Sequence, residues 1–71
     1  MENDENDYIE LNAFIRVNGL ANTGGQAKLL IRSGAVSVNG EPETRNKRKL
    51  YERDKVKCNG KEFIVKKEVI K

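Results

Sequence analysis

The sequence predicts an α+β domain in which two helices pack on a small twisted antiparallel sheet. Two stretches with apolar residues at helical spacing come first, and short alternating segments with Asn-Gly turns follow them. A chain of 71 residues has room for one domain only. We assign that domain to residues 8–65, between a disordered acidic tail at residues 1–7 and a basic C-terminal tail at residues 66–71.

The first helix is predicted over residues 10–18, after a short extended piece at residues 8–9. Leu11, Phe14 and Ile15 follow the i, i+3, i+4 spacing that places side chains on one face of a helix. That face is expected to pack on the sheet.

The second helix has a clearer start signal than the first. Thr23 and Gln26 match a capping box, in which two side chains satisfy backbone N–H groups that have no partner within the helix. Gly19 and Gly34 follow the two helices and are suited to the left-handed conformation that ends a helix. The core-facing arc of the second helix consists of Ala27, Leu30 and Ile31.

Beyond the second helix the apolar period changes to two residues. Residues 36–38 alternate, and Asn39-Gly40 predicts the type I′ turn of a hairpin. The return strand is expected at residues 41–44. Pro42 belongs at a sheet edge because it has no backbone N–H to donate.

Residues 45–49 read as a loop that is too charged to be buried. A second hairpin is predicted from residues 55–58 and 61–65, joined by Asn59-Gly60. The sequence leaves open whether four apolar side chains pack on the core or stay exposed: Leu29, Tyr51, Val69 and Ile70.

Charge is distributed unevenly along the chain. The formal net charge is +3, yet the first ten residues hold five acids and no base. Residues 11–71 carry all 14 Lys and Arg against six acids, a net charge of +8. A basic body of this kind suggests an anionic partner, although solvation of a small domain explains the composition equally well.

Catalysis and metal binding find little support in the residues. The chain has no His, and its one cysteine, Cys58, can form no intrachain disulfide and has no base to activate it. The acids beyond residue 10 fall in hairpin, turn and tail positions, where solvation is their usual role. We therefore expect no enzyme activity, no metal and no cofactor.

The N-terminus is acidic and lacks the apolar stretch of a signal peptide. No apolar run approaches the roughly 20 residues of a membrane span. We expect a cytoplasmic protein without membrane contact.

Two groups of cations are candidates for phosphate binding. Lys28 and Arg32 lie one helical turn apart, ~6 Å along the axis, which is close to the spacing of successive phosphates on a nucleic-acid strand. The start of the second helix adds free N–H groups, and Gly24-Gly25 would let a phosphate approach closely.

The second group stands in the predicted loop after the first hairpin, where like charges repel one another until an anion binds. Thr23 and Gln26 are further candidates, although capping explains them at least as well. The complete set of candidate contacts is Arg16, Thr23, Gln26, Lys28, Arg32, Arg45, Lys47, Arg48 and Lys49.

Aromatic stacking is expected to be secondary. Of the four aromatic residues, at least Phe14 and Phe63 are needed in the core. Without a stacking platform, contact with the backbone of a folded nucleic acid is favoured over recognition of single strands.

The order of these features resembles the alpha-L RNA-binding motif, the domain of small-subunit ribosomal protein S-four. The similarity covers residues 11–65 and runs through Thr23-Gly24-Gly25-Gln26-Ala27-Lys28, Ile31, Gly34, Val36, Val38-Asn39-Gly40 and Asp54-Lys55-Val56. Within that family the chain resembles the short stand-alone bacterial proteins, which carry a similar Gly-Gly-x-Ala-Lys run and an Arg-Lys-Leu segment, here Arg48-Lys49-Leu50.

The resemblance implies binding of structured RNA, commonly ribosomal, through the second helix and the loop. Two departures stand out. Gly24 occupies a position where many members have arginine, and Arg53-Asp54 replaces a usual Gly-Asp turn, so Arg53 is expected to adopt a positive φ.

We therefore expect a monomeric, non-enzymatic RNA-binding protein that contacts the phosphate backbone of structured RNA. Ribosomal RNA or a ribosomal subunit is the expected partner, with a role in ribosome assembly. The alternative is a protein-interaction adapter that docks an acidic partner through the same basic face.

Overall fold

The computed structural model describes residues 7–70. The acidic tail, apart from the exposed Asp7, and Lys71 lie outside the described residues. Helix α1 spans Leu11–Val17 and helix α2 spans Gly24–Arg32. The strands are β1 Ile9–Glu10, β2 Val36–Val38, β3 Glu41–Pro42, β4 Lys49–Leu50, β5 Lys55–Cys58 and β6 Lys61–Ile64.

The strands form two antiparallel sheets. The larger has the order β3-β2-β5-β6, and the smaller is a ribbon of β1 and β4. The α+β class is confirmed, but the single sheet expected from the sequence is divided in two. The ribbon forms because the chain returns after β3 to the start of α1, where Ile9 pairs with Leu50.

Both helices begin and end close to the predicted positions. Helix α1 starts one residue late because Glu10 is extended and pairs in β1. The Thr23 hydroxyl accepts the Gln26 N–H at 3.1 Å, as predicted. The side chain of Gln26 instead accepts the N–H of Asn22 at 2.9 Å, so the reciprocal bond of the capping box is displaced by one residue.

The two Asn-Gly turns adopt the predicted geometry. Asn39 and Gly40 have φ values of 53° and 88°, and Asn59 and Gly60 have φ values of 54° and 79°. Two successive positive φ values define a type I′ turn. The return strand of the first hairpin is shorter than predicted, since β3 ends at Pro42 on the edge of the larger sheet.

The core lies between the helices and the sheets. Phe14 on α1 meets Phe63 on β6 edge to face, with ring centroids 6.5 Å apart. Lys67–Val69 form a short 3-10 helix, and Val69 and Ile70 pack against the core. The largest fully buried side chains are Leu11, Phe14, Ile15, Ile31, Val36, Leu50, Val56, Cys58 and Val65.

Two large side chains whose burial the sequence left open are exposed at the surface. Leu29 is 71% exposed and Tyr51 is 41% exposed. Within residues 7–70, neither helix has the length and apolar character that a membrane crossing requires.

Arg53 adopts a left-handed backbone conformation, with φ at 77°. Its N–H donates to the carbonyl of Val65 at 2.8 Å, so the turn fixes this conformation. The Cβ atom of a residue other than glycine is crowded in that region. The expectation of a positive φ at Arg53 is confirmed.

Replacement of Arg53 by glycine should stabilise the fold. Removal of the Cβ strain outweighs the added freedom of glycine in the unfolded chain, and we expect Arg53→Gly to exceed Arg53→Ala by about 1 kcal/mol in the free energy of unfolding. Arg53→Ala is the matched control, since it removes the same charge and keeps the Cβ. Equal unfolding free energies in urea for the two variants would contradict this account.

Candidate functional site

The side chain of Asn12, in the first turn of α1, connects three segments of the chain. Its Nδ2 group donates to the carbonyl of Gly24 at 3.1 Å and to Oδ1 of Asn46 at 2.8 Å. Its Oδ1 atom accepts a hydrogen bond from Nε of Arg16 at 3.1 Å. One partly buried amide therefore holds together the start of α2, the Arg16 guanidinium and the segment after β3.

That segment, residues 43–48, joins β3 to β4 and is called the basic loop below. Its backbone also closes the N-terminus of α1, since Leu11 N–H donates to the carbonyl of Arg48 at 2.8 Å and Asn12 N–H donates to that of Asn46 at 3.1 Å. The first N–H groups of a helix have no acceptor within the helix. The loop carbonyls supply those acceptors, which fixes the loop in place despite its charge.

Glu43 is a buried carboxylate on which two arginines of the basic loop converge. Its side chain is 8% exposed. Oε2 accepts the backbone N–H and the Nε–H of Arg45, both at 2.9 Å, and Oε1 accepts from Nη2 of Arg45 at 3.2 Å and from Nη1 of Arg48 at 2.5 Å. The expectation that acids beyond residue 10 are solvated is wrong for Glu43. A buried carboxylate needs such donors because it has lost its hydration.

These contacts change the titration of the pair. Hydrogen bonds from the side chain of Arg45, with others from its backbone and from Arg48, outweigh burial and lower the pKa of Glu43 from 4.5 to about 2. The same carboxylate raises the pKa of Arg45. Glu43 is thus ionised at neutral pH and already relieves part of the repulsion that we expected a bound phosphate to relieve.

The cations of the basic loop and of β4 differ in how far they are free to bind another group. The side chain of Arg45 is 72% exposed, whereas that of Arg48 is 29% exposed. Lys47 is exposed, and Lys49 lies in β4 with its Nζ atom 4.9 Å from the centroid of the Tyr8 ring. A shallow surface depression is lined by Arg45, Lys47, Arg48, Lys49 and Tyr51.

Lys28 and Arg32 are both exposed on α2, away from the buried Ala27 and Ile31. One helical turn separates them, ~6 Å along the axis. Their connection to the basic loop runs through the start of the helix, where Gly24 contacts Asn12.

Thr23 and Gln26 are exposed as well, and their side chains serve the capping bonds at the start of α2. The structure therefore links Arg16, the start of α2 and the basic loop directly through Asn12. Lys28 and Arg32 lie further along α2.

Three residues of this arrangement were missed by sequence reasoning: Asn12, Glu43 and Asn46. A polar residue in a short helix gives no signal of a tertiary contact, so Asn12 could not be found. The sequence does carry one signal for the basic surface as a whole, although not for these three residues. Residues 11–40 contain Arg16, Lys28 and Arg32 but no Asp or Glu. This acid-free stretch contains both helices.

The described residues offer little for catalysis or metal binding. Among residues 7–70, no three His, Cys, Asp or Glu side chains group closely enough to hold a metal ion. Cys58 is buried in the core, and burial raises the pKa of its thiol. A thiol in that state is a poor nucleophile at neutral pH.

Comparison with known proteins agrees with this architecture. The family model described as S4 domain matches residues 2–66, nearly the whole chain. The chain belongs to the S4 domain family. The resemblance to the alpha-L RNA-binding motif is thereby confirmed. This S4 domain is also similar to a Bacillus subtilis (strain 168) protein named "Probable ribosome maturation protein RlbA", with 36% identity over 56 residues, 79% of each chain.

The ionised Glu43 should make the stability of this S4 domain depend on acid pH. The pKa of Glu43 is lowered in the folded state, so its contribution is complete above about pH 4.5 and is lost as the pH falls toward 2. Because Arg45 is largely exposed, solvent screening reduces that contribution to about 1–2 kcal/mol. Glu43→Gln should lose this amount at pH 7.

Glu41→Gln is the matched control, since Glu41 is exposed and lies two residues earlier in the chain. Urea unfolding of the wild type and both variants at pH 7 and at pH 3 measures the effect. The account predicts a smaller difference between the wild type and Glu43→Gln at pH 3 than at pH 7. A Glu43→Gln variant as stable as Glu41→Gln at pH 7 would contradict it.

Proposed function

We propose that this chain is a non-enzymatic RNA-binding protein that contacts the phosphate backbone of structured RNA. Ribosomal RNA is the proposed target, and ribosome assembly is the proposed setting. Membership of the S4 domain family supports RNA as the ligand, and the name of the similar Bacillus subtilis protein supports a ribosomal setting. The proposal includes a cytoplasmic monomer.

The observation that carries the proposal is the network around Asn12. It draws the Arg16 guanidinium, the N-terminal end of α2 and the basic loop to one place. Positive groups from several segments on one surface can neutralise several phosphates of the same strand, and each neutralised phosphate adds to the affinity. Because residues 11–40 contain no Asp or Glu, neither helix carries a carboxylate that would repel a phosphate or pair with these cations.

On α2, the proposed contacts are Lys28 and Arg32, with their ~6 Å separation matching neighbouring phosphates. Gly24 and Gly25 begin the helix, where N–H groups and the helix dipole favour an anion. Thr23 and Gln26 border this end of the helix and are proposed to assist after their capping bonds are made.

In the basic loop, ion pairing with Glu43 changes the expected roles. Arg45 retains N–H groups beyond those given to Glu43, and its high exposure suits it to phosphate contact. Arg48 is more enclosed and is proposed to act mainly by holding Glu43 in place. Lys47 and Lys49 supply point charges beside Arg45.

Salt dependence tests the electrostatic part of the proposal. If about six phosphates are neutralised, affinity for an RNA hairpin should fall ~10³-fold between 50 and 200 mM salt. Lys28→Ala combined with Arg32→Ala should weaken binding and reduce the slope of log affinity against log salt by about 2. Fluorescence anisotropy of a labelled hairpin at several salt concentrations measures both quantities.

The matched control is Lys61→Ala combined with Lys67→Ala, which removes two exposed lysines outside the proposed surface. An equal loss of affinity in both double variants would show that net charge, and not the α2 face, governs binding. An affinity that ignored salt would reject the phosphate contact. Capture of an acidic protein partner that survives nuclease treatment would favour the adapter alternative.

A further inference from the structure

The register of the β1–β4 ribbon places two tyrosines side by side. Ile9 pairs with Leu50 and both are buried, so the residues next to them on each strand point to the opposite face. Continuing the register by one step sets Tyr8 opposite Tyr51. The ring centroids are 6.2 Å apart and the rings are tilted by 55°.

Tyr51 combines this aromatic neighbour with a cationic surrounding. Tyr51 lines the shallow depression together with the four cations of the basic loop and β4. Lys49 lies over the Tyr8 ring, and its partner in the ribbon register is Glu10. Among residues 7–70, the charged residues that line this depression beside Tyr51 are all cations.

The backbone of Tyr51 is held rigidly. Its N–H donates to Oδ2 of Asp54 at 2.8 Å, and its carbonyl accepts the N–H of Asp54 at 3.0 Å. A rigid exposed ring loses little freedom when a planar group stacks on it. The expectation that stacking is secondary considered the aromatic residues singly and did not include the pairing of Tyr8 with Tyr51.

We propose that an unpaired nucleobase of the bound RNA stacks on Tyr51 while the neighbouring phosphates contact Arg45, Lys47 and Lys49 of the same depression. The inference rests on the proposed RNA-binding function and adds a source of selectivity to it. Phosphate contacts alone favour no position along an RNA, whereas a stacking site favours a bulge or loop whose base is already out of the helix. Aromatic rings stack on any base, so the selectivity is for unpaired structure more than for sequence.

The test compares two RNAs that differ in one nucleotide. One is a blunt, fully paired duplex, and the other is the same duplex with a single bulged adenosine. The wild-type protein should bind the bulged duplex about tenfold more tightly, the lower range of what one stacked base contributes. Tyr51→Leu should bind both duplexes equally, with the affinity of the wild type for the paired one.

Tyr51→Phe is the matched control, because it keeps the ring and should keep the preference. Tyrosine fluorescence gives a second readout, since the chain has no Trp and only two Tyr. In a Tyr8→Phe variant all of the tyrosine emission comes from Tyr51. Stacking of the bulged base should quench that emission more strongly than the paired duplex does at equal saturation.

Three outcomes would overturn the inference. They are equal affinity of the wild type for both duplexes, a bulge preference that survives in Tyr51→Leu, and Tyr51 emission that responds alike to both RNAs. In each of these cases the proposed RNA binding stands. A different result would reject the proposed function itself, and the inference with it. In that case the wild type binds neither of the two duplexes and does not bind a bulged hairpin.

Discussion

The surface described here depends on one side-chain amide. The Nδ2 group of Asn12 donates hydrogen bonds to the Gly24 carbonyl and to the Asn46 side chain, which lie on other segments. Its Oδ1 atom accepts a hydrogen bond from the guanidinium of Arg16. The same residue's backbone N–H binds the carbonyl of Asn46. An amide can serve both as donor and as acceptor, which a carboxylate or an ammonium group cannot do at neutral pH. The contact thus joins two helices and a charged loop without adding a charge of its own.

The buried carboxylate of Glu43 balances part of the positive charge in the basic loop. A segment with several cations in a short span would spread apart in water, yet this loop is held over a buried carboxylate that binds Arg45 and Arg48. Arginine suits such an ion-pair cluster because its planar guanidinium has five N–H donors. Some of them bind Glu43, and the others can bind a second group. Lys47 and Lys49 are exposed at the surface, and the hydrogen bonds to Glu43 come from Arg45 and Arg48. The loop therefore combines an internal ion-pair cluster with an outward positive face.

Much of the fold was predictable from the sequence because its signals are local. The Thr23 cap, the glycines after each helix and the two Asn-Gly turns act within a few residues, and the structure confirms them. The β1–β4 ribbon was not predicted, since its strands have two residues each and are separated by the first hairpin and both helices. The contacts of Asn12, the burial of Glu43 and the Tyr8–Tyr51 pair are likewise tertiary. Asn12 and Asn46 meet across 34 positions of chain, and no periodicity or spacing encodes such a contact. Sequence patterns therefore suggest candidate cations but do not identify the polar groups that hold them in place.

The most direct test of this account is a backbone-amide NMR titration of the chain with a structured RNA hairpin. The central claim is that α1 around Arg16, the first turns of α2 and the basic loop form one binding surface. It predicts that amides in all three segments shift together and fit a single binding isotherm, while those at Asn59 and Gly60 in the β5–β6 turn stay unchanged. Shifts confined to one of the three segments, or separate isotherms for the helix and the loop, would contradict it.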